Sequence, residues 1–279
     1  MLLRAKGAEA EARLEALVSR AVSEGSPLRA RTDMATGCLV LMGESEEALD
    51  RALDPLVGAL GEMLEIGAPT AVLRETVTSD ATASCCYDGP HGRASVDVSI
   101  APKHSSTSNA LDLGGFLDAS PEICRALRAG AESVLDTGDR FPPVGVHLRL
   151  LEIGDASDAT SPLAIEIAAR MAVLRALREA RPLTVWPVMA VRIFAAEGVS
   201  VAVLRDLAGK RGRNIGRRKE EGQFSLSAEV PLALLFGYRN TLLGLSGGQG
   251  WFEMRPSHYE PLPGEAPPAA PLPVALVGA

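Results

Sequence analysis

One order of local signals occurs twice in this chain, near its start and near its end, and few folds satisfy it. "MLLRAK" opens with an apolar stretch of strand length. Leu14, Leu17, Val18, Ala21 and Val22 then recur at helical spacing, and Gly25 with Pro27 supplies a stop. "LRARTDMATGCLVLM" reads as two strands about an Asp33–Gly37 turn. Glu44, Glu46 and Glu47 open a second helix, where acids suit the positive end of the helix dipole. Leu49, Leu53, Leu56, Val57, Leu60 and Leu64 are expected to line its buried face. "MLEIG" supplies the last strand. Strand–helix–strand–strand–helix–strand is the order of a ferredoxin-like sandwich.

Residues 183–256 repeat it. "LTVWPVMAVRIFA" reads as a strand, and Ser200 is expected to cap a helix carrying Val203, Leu204 and Leu207. "NIGRRKEEGQFSLSAEV" holds two strands about a charged turn, Pro231 is expected to start a short helix "PLALLFGY", and "GWFEMRP" closes the set. Between the two sets, "ASVDVSIAP" and "VGVHLRLLEIG" alternate as strands. Ser120–Pro121 and Ser161–Pro162 each read as an N-cap followed by proline, ahead of helices bearing Leu127, Val134 and Leu135 in one case and Leu163, Ile167, Met171 and Leu174 in the other. "HSSTSNALDLGG" reads as a loop. The expected class is α+β: two ferredoxin-like βαββαβ sandwiches flanking a ribosomal-protein-like α/β domain. The expected domains are residues 1–69, 70–182 and 183–262, followed by a disordered Pro/Ala-rich tail, 263–279.

Composition narrows the function classes. Hydrophobic content of 47% and charged content of 23% are globular values, and aromatics at 4% leave the cores to Leu, Val, Ala and Ile. That scarcity argues against platforms that stack single-stranded bases, and Trp186 and Trp251 read as core or edge packing. Cys38, Cys85, Cys86 and Cys124 form no CxxC spacing, so a reduced, cytoplasmic chain with packing thiols is expected. Cys85 and Cys86 would point to opposite faces of a strand, which disfavours a disulfide between them. There is no long apolar leader and no apolar run of about 18–20 residues, so neither a signal peptide nor a membrane partner is expected. No metal-ligand spacing or nucleophile signature is present, His104, His147 and His258 read as isolated, and no cofactor is expected.

The glycines of "LSGGQG" raise the question of a phosphate loop. A P-loop requires GxxxxGK[ST] ahead of a helix, whereas these glycines precede a strand and no lysine follows. The one Gly–Lys pair, Gly209–Lys210, is followed by Arg211 where Ser or Thr is required. Asp112–Gly115 and Asp206–Gly209 match DxxG, a pattern that arises by chance and has no base-reading motif beside it. Glycines accepting positive φ in a tight connection fit better. The strongest electrostatic feature is "RDLAGKRGRNIGRRK", where Arg205, Lys210, Arg211, Arg213, Arg217, Arg218 and Lys219 stand against a single acid in a chain of net charge −7. A local basic patch on an acidic body suits RNA phosphates.

Several stretches resemble the C-terminal half of elongation factor G among the translational GTPases, a family that includes the tetracycline-resistance ribosomal protection proteins. "EGSPLRARTDMATGCLVLMGESEEALDRAL" is similar to the family's third domain, and "RETV" at 74–77 to the strand that leads into its fourth. "SPLAIEIAARMAVLRALREARPLTVWPVMAVRI" resembles the join of the fourth and fifth domains, notably at Ala180–Pro182 and Pro187–Met189. "LAGKRGRNIG" resembles the stretch before the second strand of the fifth domain. Val230–Pro231, Phe236–Gly237–Tyr238, Gly248, Gly250, Phe252 and His258–Tyr259 fall on the pattern of its ending. The likeness runs from about residue 2 to 262.

The resemblance implies a translation-factor module whose partners are the ribosome, through rRNA and ribosomal proteins, and a separately encoded GTPase half. DNA and membranes are not expected partners. It implies no catalysis, because GTP hydrolysis in the family belongs to a domain that this sequence lacks. Met1 lies just before the first strand of the third domain, so a stand-alone half or a fragment is expected. The resemblance also implies two loops at the tip of the fourth domain. One matches "YDGPHGRAS" with Asp88, Gly89, His91, Gly92 and Arg93; the other matches "IGDASDATSP" with Asp155 and Ser157. The second is shorter than usual, lacks the family's apical histidine, and carries Asp155 and Asp158, which would repel an RNA backbone. That weighs against action at the decoding centre. The contrasting expectation is a repurposed protein-interaction scaffold that does not bind RNA.

Overall fold

The computed structural model describes residues 1–23, 28–33, 36–43, 46–103, 107–114, 116, 120–154, 161–220 and 223–264, the side chain of Glu220 apart. The readings made for Gly25, Pro27, Glu44, His104, Asp155, Ser157, Asp158 and residues 265–279 lie outside the described residues. The chain packs into two units, Met1–Ala71 with Phe236–Tyr238, and Val72–Leu235 with Arg239–Ala279.

The first unit holds β1 (Leu2–Ala5), α1 (Ala8–Ser23), β2 (Arg29–Thr32), β3 (Leu39–Met42), α2 (Glu46–Leu60) and β4 (Leu64–Ile66). The sheet order is β2-β3-β1-β4 with antiparallel neighbours, the arrangement expected of a ferredoxin-like sandwich. Leu3 and Leu41 from the sheet meet Leu14, Val18, Leu56 and Leu60 from the helices in one aliphatic core. Two positions expected on the buried face of α2 are not there, although Leu64 still packs against the same core. Val57 is 47% exposed, and Leu64 belongs to β4 rather than to the helix.

The second unit contains two sheets. One has the order β6 (Ala81–Gly89), β7 (Gly92–Pro102), β9 (Val146–Gly154), β8 (Ala110–Asp112), with α3 (Pro121–Thr137) and α4 (Pro162–Glu179) contributing to its core. β8 runs parallel to β9, so part of the stretch read as a loop is a strand. Ser120 caps α3 as expected, its Oγ accepting from Ile123 N–H at 3.4 Å. Ser161 stands at the N-cap of α4 but makes no side-chain cap; its N–H instead donates to the His91 carbonyl at 3.0 Å.

The buried face of α4 is only partly the expected one: Leu174 packs half-buried against the core and Ile167 is half-buried. Leu163 and Met171 are each 42% exposed, while Ala164, Ala168, Ala169, Ala172 and Ala176 are fully buried beside Ile165, Val173 and Leu177. Small side chains let α4 lie close against its neighbours. A Cβ added to Gly130 of α3 would stand 2.4 Å from the Glu166 carbonyl oxygen and 3.0 Å from Ala169 Cβ. Close packing of backbone against backbone has outweighed burial of the largest residues.

The other sheet is built on β10 (Pro182–Ala196), followed by α5 (Ser200–Gly209), β11 (Arg213–Glu220), β12 (Gln223–Pro231), α6 (Tyr238–Ser246) and β13 (Trp251–Pro261). Its order, β11-β12-β10-β13, repeats that of the first unit. β5 (Arg74–Val77) pairs with Pro182–Val185 at the start of β10, and β12 pairs with Val188–Ala196 further along. Ser200 is the first residue of α5 rather than its cap, and is buried. Pro231 closes β12, and the α-helix begins at Tyr238, after a 3-10 turn at Leu232–Leu234. The quoted glycines end α6. Gly247 and Gly248 have φ of 62° and 86°, and Gly248 N–H donates to the Leu243 carbonyl at 2.8 Å, a Schellman closure. The chain is thus α+β, with two ferredoxin-like sandwiches and, between them in the sequence, an α/β region.

Candidate nucleic-acid interface

The basic segment begins where α5 stops. Gly212 N–H donates to the Leu207 carbonyl at 2.8 Å, which leaves Arg211 in the left-handed position of the cap, at φ 58°. A Cβ at Gly212 would lie 2.8 Å from the Leu207 carbonyl oxygen, so the Arg–Gly pair is held in that order by the turn. Arg205 projects from α5, Lys210 is half-buried at its end, and Arg211 is exposed in the turn. The chain then enters β11, an edge strand with a register shift between Arg213 and Gly216.

Alternation along β11 divides the remaining cations between two faces. Arg217 stands opposite Leu226 and Lys219 opposite Phe224, both partners being core residues. Arg218 stands opposite Ser225, and Gly216 opposite Ser227. Arg213, Arg217, Arg218 and Lys219 are all exposed. Among the described residues Arg217 pairs with Glu197, and Arg213 with Glu260 at 3.1 Å. The sequence count of charge therefore overstates the field this segment presents.

Arg213 belongs to a polar network that the sequence reading did not foresee. Asn214 Nδ2 donates to Glu229 Oε2 at 2.5 Å and Ser257 Oγ donates to Glu229 Oε1 at 3.0 Å. His258 lies 3.2 Å from Glu260 and 3.8 Å from Glu229. The Asn214 amide, then Ser257 and the His258 charge, hold the Glu229 carboxyl below its ordinary range. His258, read as an isolated residue, is a member of this cluster.

Of the two readings given for Trp251, core or edge packing, the structure has it on the edge strand β13. It stacks on Phe194 with ring centroids 4.0 Å apart and planes 13° from parallel, and it is 54% exposed. Arg192 lies 6.0 Å from the Phe194 ring centroid. Arg192 and Phe194 lie on one face of β10, and Trp251, Glu253 and Arg255 on one face of β13, and strand pairing brings the two sets together.

β6 and β7 form a hairpin in which Asp88 pairs with Arg93 and Gly89 with Gly92, with Pro90 and His91 in the turn. Gly92 has φ of 101°, and a Cβ at Gly89 would stand 2.5 Å from the Tyr87 hydroxyl. His91 and Arg93 are exposed, and the Ser161–His91 backbone bond sets this hairpin beside the start of α4. Among the described residues there is no group of acids, histidines and cysteines that could hold a metal ion, and no helix is long and apolar enough to cross a membrane.

Comparison with known proteins supports the resemblance read from the sequence. The family described as "Elongation factor G C-terminus" matches residues 185–269. Elongation factor G of Ruegeria sp. (strain TM1040) is 30% identical over 256 residues, 88% of this chain and 36% of that protein. Elongation factor G 2 of Vibrio cholerae serotype O1 is 31% identical over 255 residues, with the same coverage. A crystal structure of a Thermus thermophilus protein superposes with a TM-score of 0.73 at 29% identity, covering 94% of this chain and 40% of that one. The chain thus spans little more than a third of the length of the curated relatives it matches.

Proposed function

We propose that this chain, similar along most of its length to the C-terminal half of elongation factor G, is a ribosome-associated translation-factor module of three lobes, 1–69, 70–182 and 183–262. It acts in the cytoplasm and binds rRNA at the factor site through Arg205, Lys210, Arg211, Arg213, Arg217, Arg218 and Lys219. The observation that carries this reading is an exposed basic turn and edge strand on a chain of net charge −7. Lys and Arg side chains at such a surface neutralise phosphates with counterion release, so affinity falls steeply with salt. GTP hydrolysis, in this reading, is supplied by a separate polypeptide. The tip residues Asp88, Gly89, His91, Gly92 and Arg93 add a second contact.

Co-sedimentation of the full chain with ribosomes tests it. Binding is expected at low salt, and is expected to be lost when Lys210, Arg211, Arg218 and Lys219 are together replaced by alanine. Retention of full binding by that variant overturns the assignment. The purified chain is expected to release no phosphate from GTP, and turnover would overturn the non-catalytic reading. One observation favours a protein-interaction scaffold instead: the exposed Leu163 and Met171 on α4. Salt-insensitive association abolished by Leu163→Ser and Met171→Ser would support that alternative.

A further inference from the structure

The sheet β11-β12-β10-β13 has one face that is buried and one that is open. Val191, Ile193, Phe224, Leu226 and Ala228 point into the core, while Arg192, Arg218, Ser227, Trp251, Glu253 and Arg255 alternate to the other side and are exposed. Three adjoining hollows line this open face. One is walled by Ala190, Arg192, Ser227, Glu253 and Arg255. The next is walled by Arg192, Phe194, Gly216, Arg218, Ser225 and Ser227. The third is walled by Phe194, Ala196, Gln223, Gln249 and Trp251.

The chain has two tryptophans and six phenylalanines, and one of each is stacked together on this outward face. An indole more than half exposed gains little stability from its position, since its apolar area remains in water. Trp251 stands on the edge strand, so among the described residues no further strand covers the outer side of the stack. Arg192 and Arg218 wall a hollow with Phe194, Arg255 stands four positions along β13 from Trp251, and Glu253, 3.6 Å from Arg192, is the acid among the residues walling these hollows. Among the described residues, Arg218 and Arg255 have no carboxylate partner. The missing side chain of Gly216 makes room for the Ser227 Oγ, which would stand 2.8 Å from a Cβ there, and Gln223 and Gln249 offer donors and acceptors along the same face. Flat aromatic area flanked by cations and amides is the chemistry that holds unpaired nucleotides: bases stack on the rings and phosphates meet the guanidinium groups.

We propose that this open face is a binding site for unpaired RNA, with Trp251 extending its stack on Phe194 by a nucleobase and Arg192, Arg218 and Arg255 holding the flanking phosphates. The site shares Arg218 with the basic segment but otherwise uses different residues and a different kind of contact. It reverses the expectation from composition, because a stacking platform needs two well-placed rings rather than many.

The full chain carrying Trp186→Phe retains Trp251 as its sole indole, and its emission is expected to be quenched by a single-stranded RNA of about ten nucleotides. Anisotropy of the same RNA, fluorescein-labelled, is expected to show Trp251→Ala weakening binding about tenfold and Arg218→Glu weakening it further, because one stacked base and one phosphate contact are removed. A duplex of the same sequence is expected to bind more weakly than the single strand. Absence of quenching, equal binding by Trp251→Ala, or equal binding of the duplex would each overturn the proposal. Replacing Lys210 and Arg211 by alanine separates the two readings: quenching that survives while ribosome binding disappears keeps this site, and the reverse result removes it while leaving the ribosome reading intact.

Discussion

The first and last sheets share one strand order, and they use it differently. In β2-β3-β1-β4 the strands are three or four residues long, whereas in β11-β12-β10-β13 they run from eight to 15 residues. A short strand offers one or two outward positions, and the outward side of the first sheet shows Leu2, Arg4 and Val40. The long strands offer enough outward positions for a stacked ring pair at one end and the Arg213–Glu229–Ser257–His258–Glu260 network at the other. Topology fixes which strands are neighbours; strand length determines how much chemistry the neighbours present together.

The largest effect that tests this contrast is in the cores. Phe224→Ala is expected to destabilise the last sheet by about 3–5 kcal/mol, as a buried aromatic replaced by a cavity does, measured by urea unfolding. Leu41→Ala in the first sheet is expected to fall toward the lower end of about 2–5 kcal/mol, since short strands around it relax more readily. An equal or larger loss at Leu41 would break the link between strand length and rigidity. A smaller effect of opposite sign is expected at the turn into β11. Arg211→Gly removes a side chain from the left-handed region and should stabilise by about 1 kcal/mol while weakening ribosome binding. A loss of stability there would show that the Arg211 side chain makes contacts worth more than the strain.

Acid unfolding separates the outward faces. Glu229 has its carboxyl lowered from an ordinary 4.5, so the stability it contributes is present above that value and is lost as pH falls through the lower value of the folded state. Glu229→Gln is expected to flatten the acid limb of a stability profile in that window, and an unchanged limb would mean that the network does not hold the ionised form. The smallest effect belongs to the first sheet, where Lys6 and Glu65 form an exposed pair at 3.2 Å. Lys6→Ala should change stability by less than about 0.5 kcal/mol, and a larger loss would place real binding energy on that face.

The order of strands and helices was legible because alternation and helical spacing act over a few residues, as at Leu39–Met42 or Leu127–Leu135. The buried side of α4 was only partly legible, because hydrophobic size pointed to Leu163 and Met171 while close approach at Gly130 selected the alanines. Strand β8 was hidden by its length of three residues, too short for a period to show. At the site, the density of Lys and Arg in 205–219 could be counted, but its division by β11 and its neutralisation by Glu197 and Glu260 depend on residues outside the segment. Phe194 and Trp251 come together only through the pairing of β10 with β13, a long-range choice that no local window contains.

The long strand β10 has a practical consequence for anyone who divides this chain. Its opening residues complete a ladder with β5, and Val185 stands opposite Arg74 on one side and Pro261 on the other. A truncation ahead of Leu183 would leave β5 as a torn hem with unpaired amides, ready to join any free sheet border it meets. Severing the polypeptide after Ala71 instead would carry β5 away together with its own partner, and that ladder would stay whole.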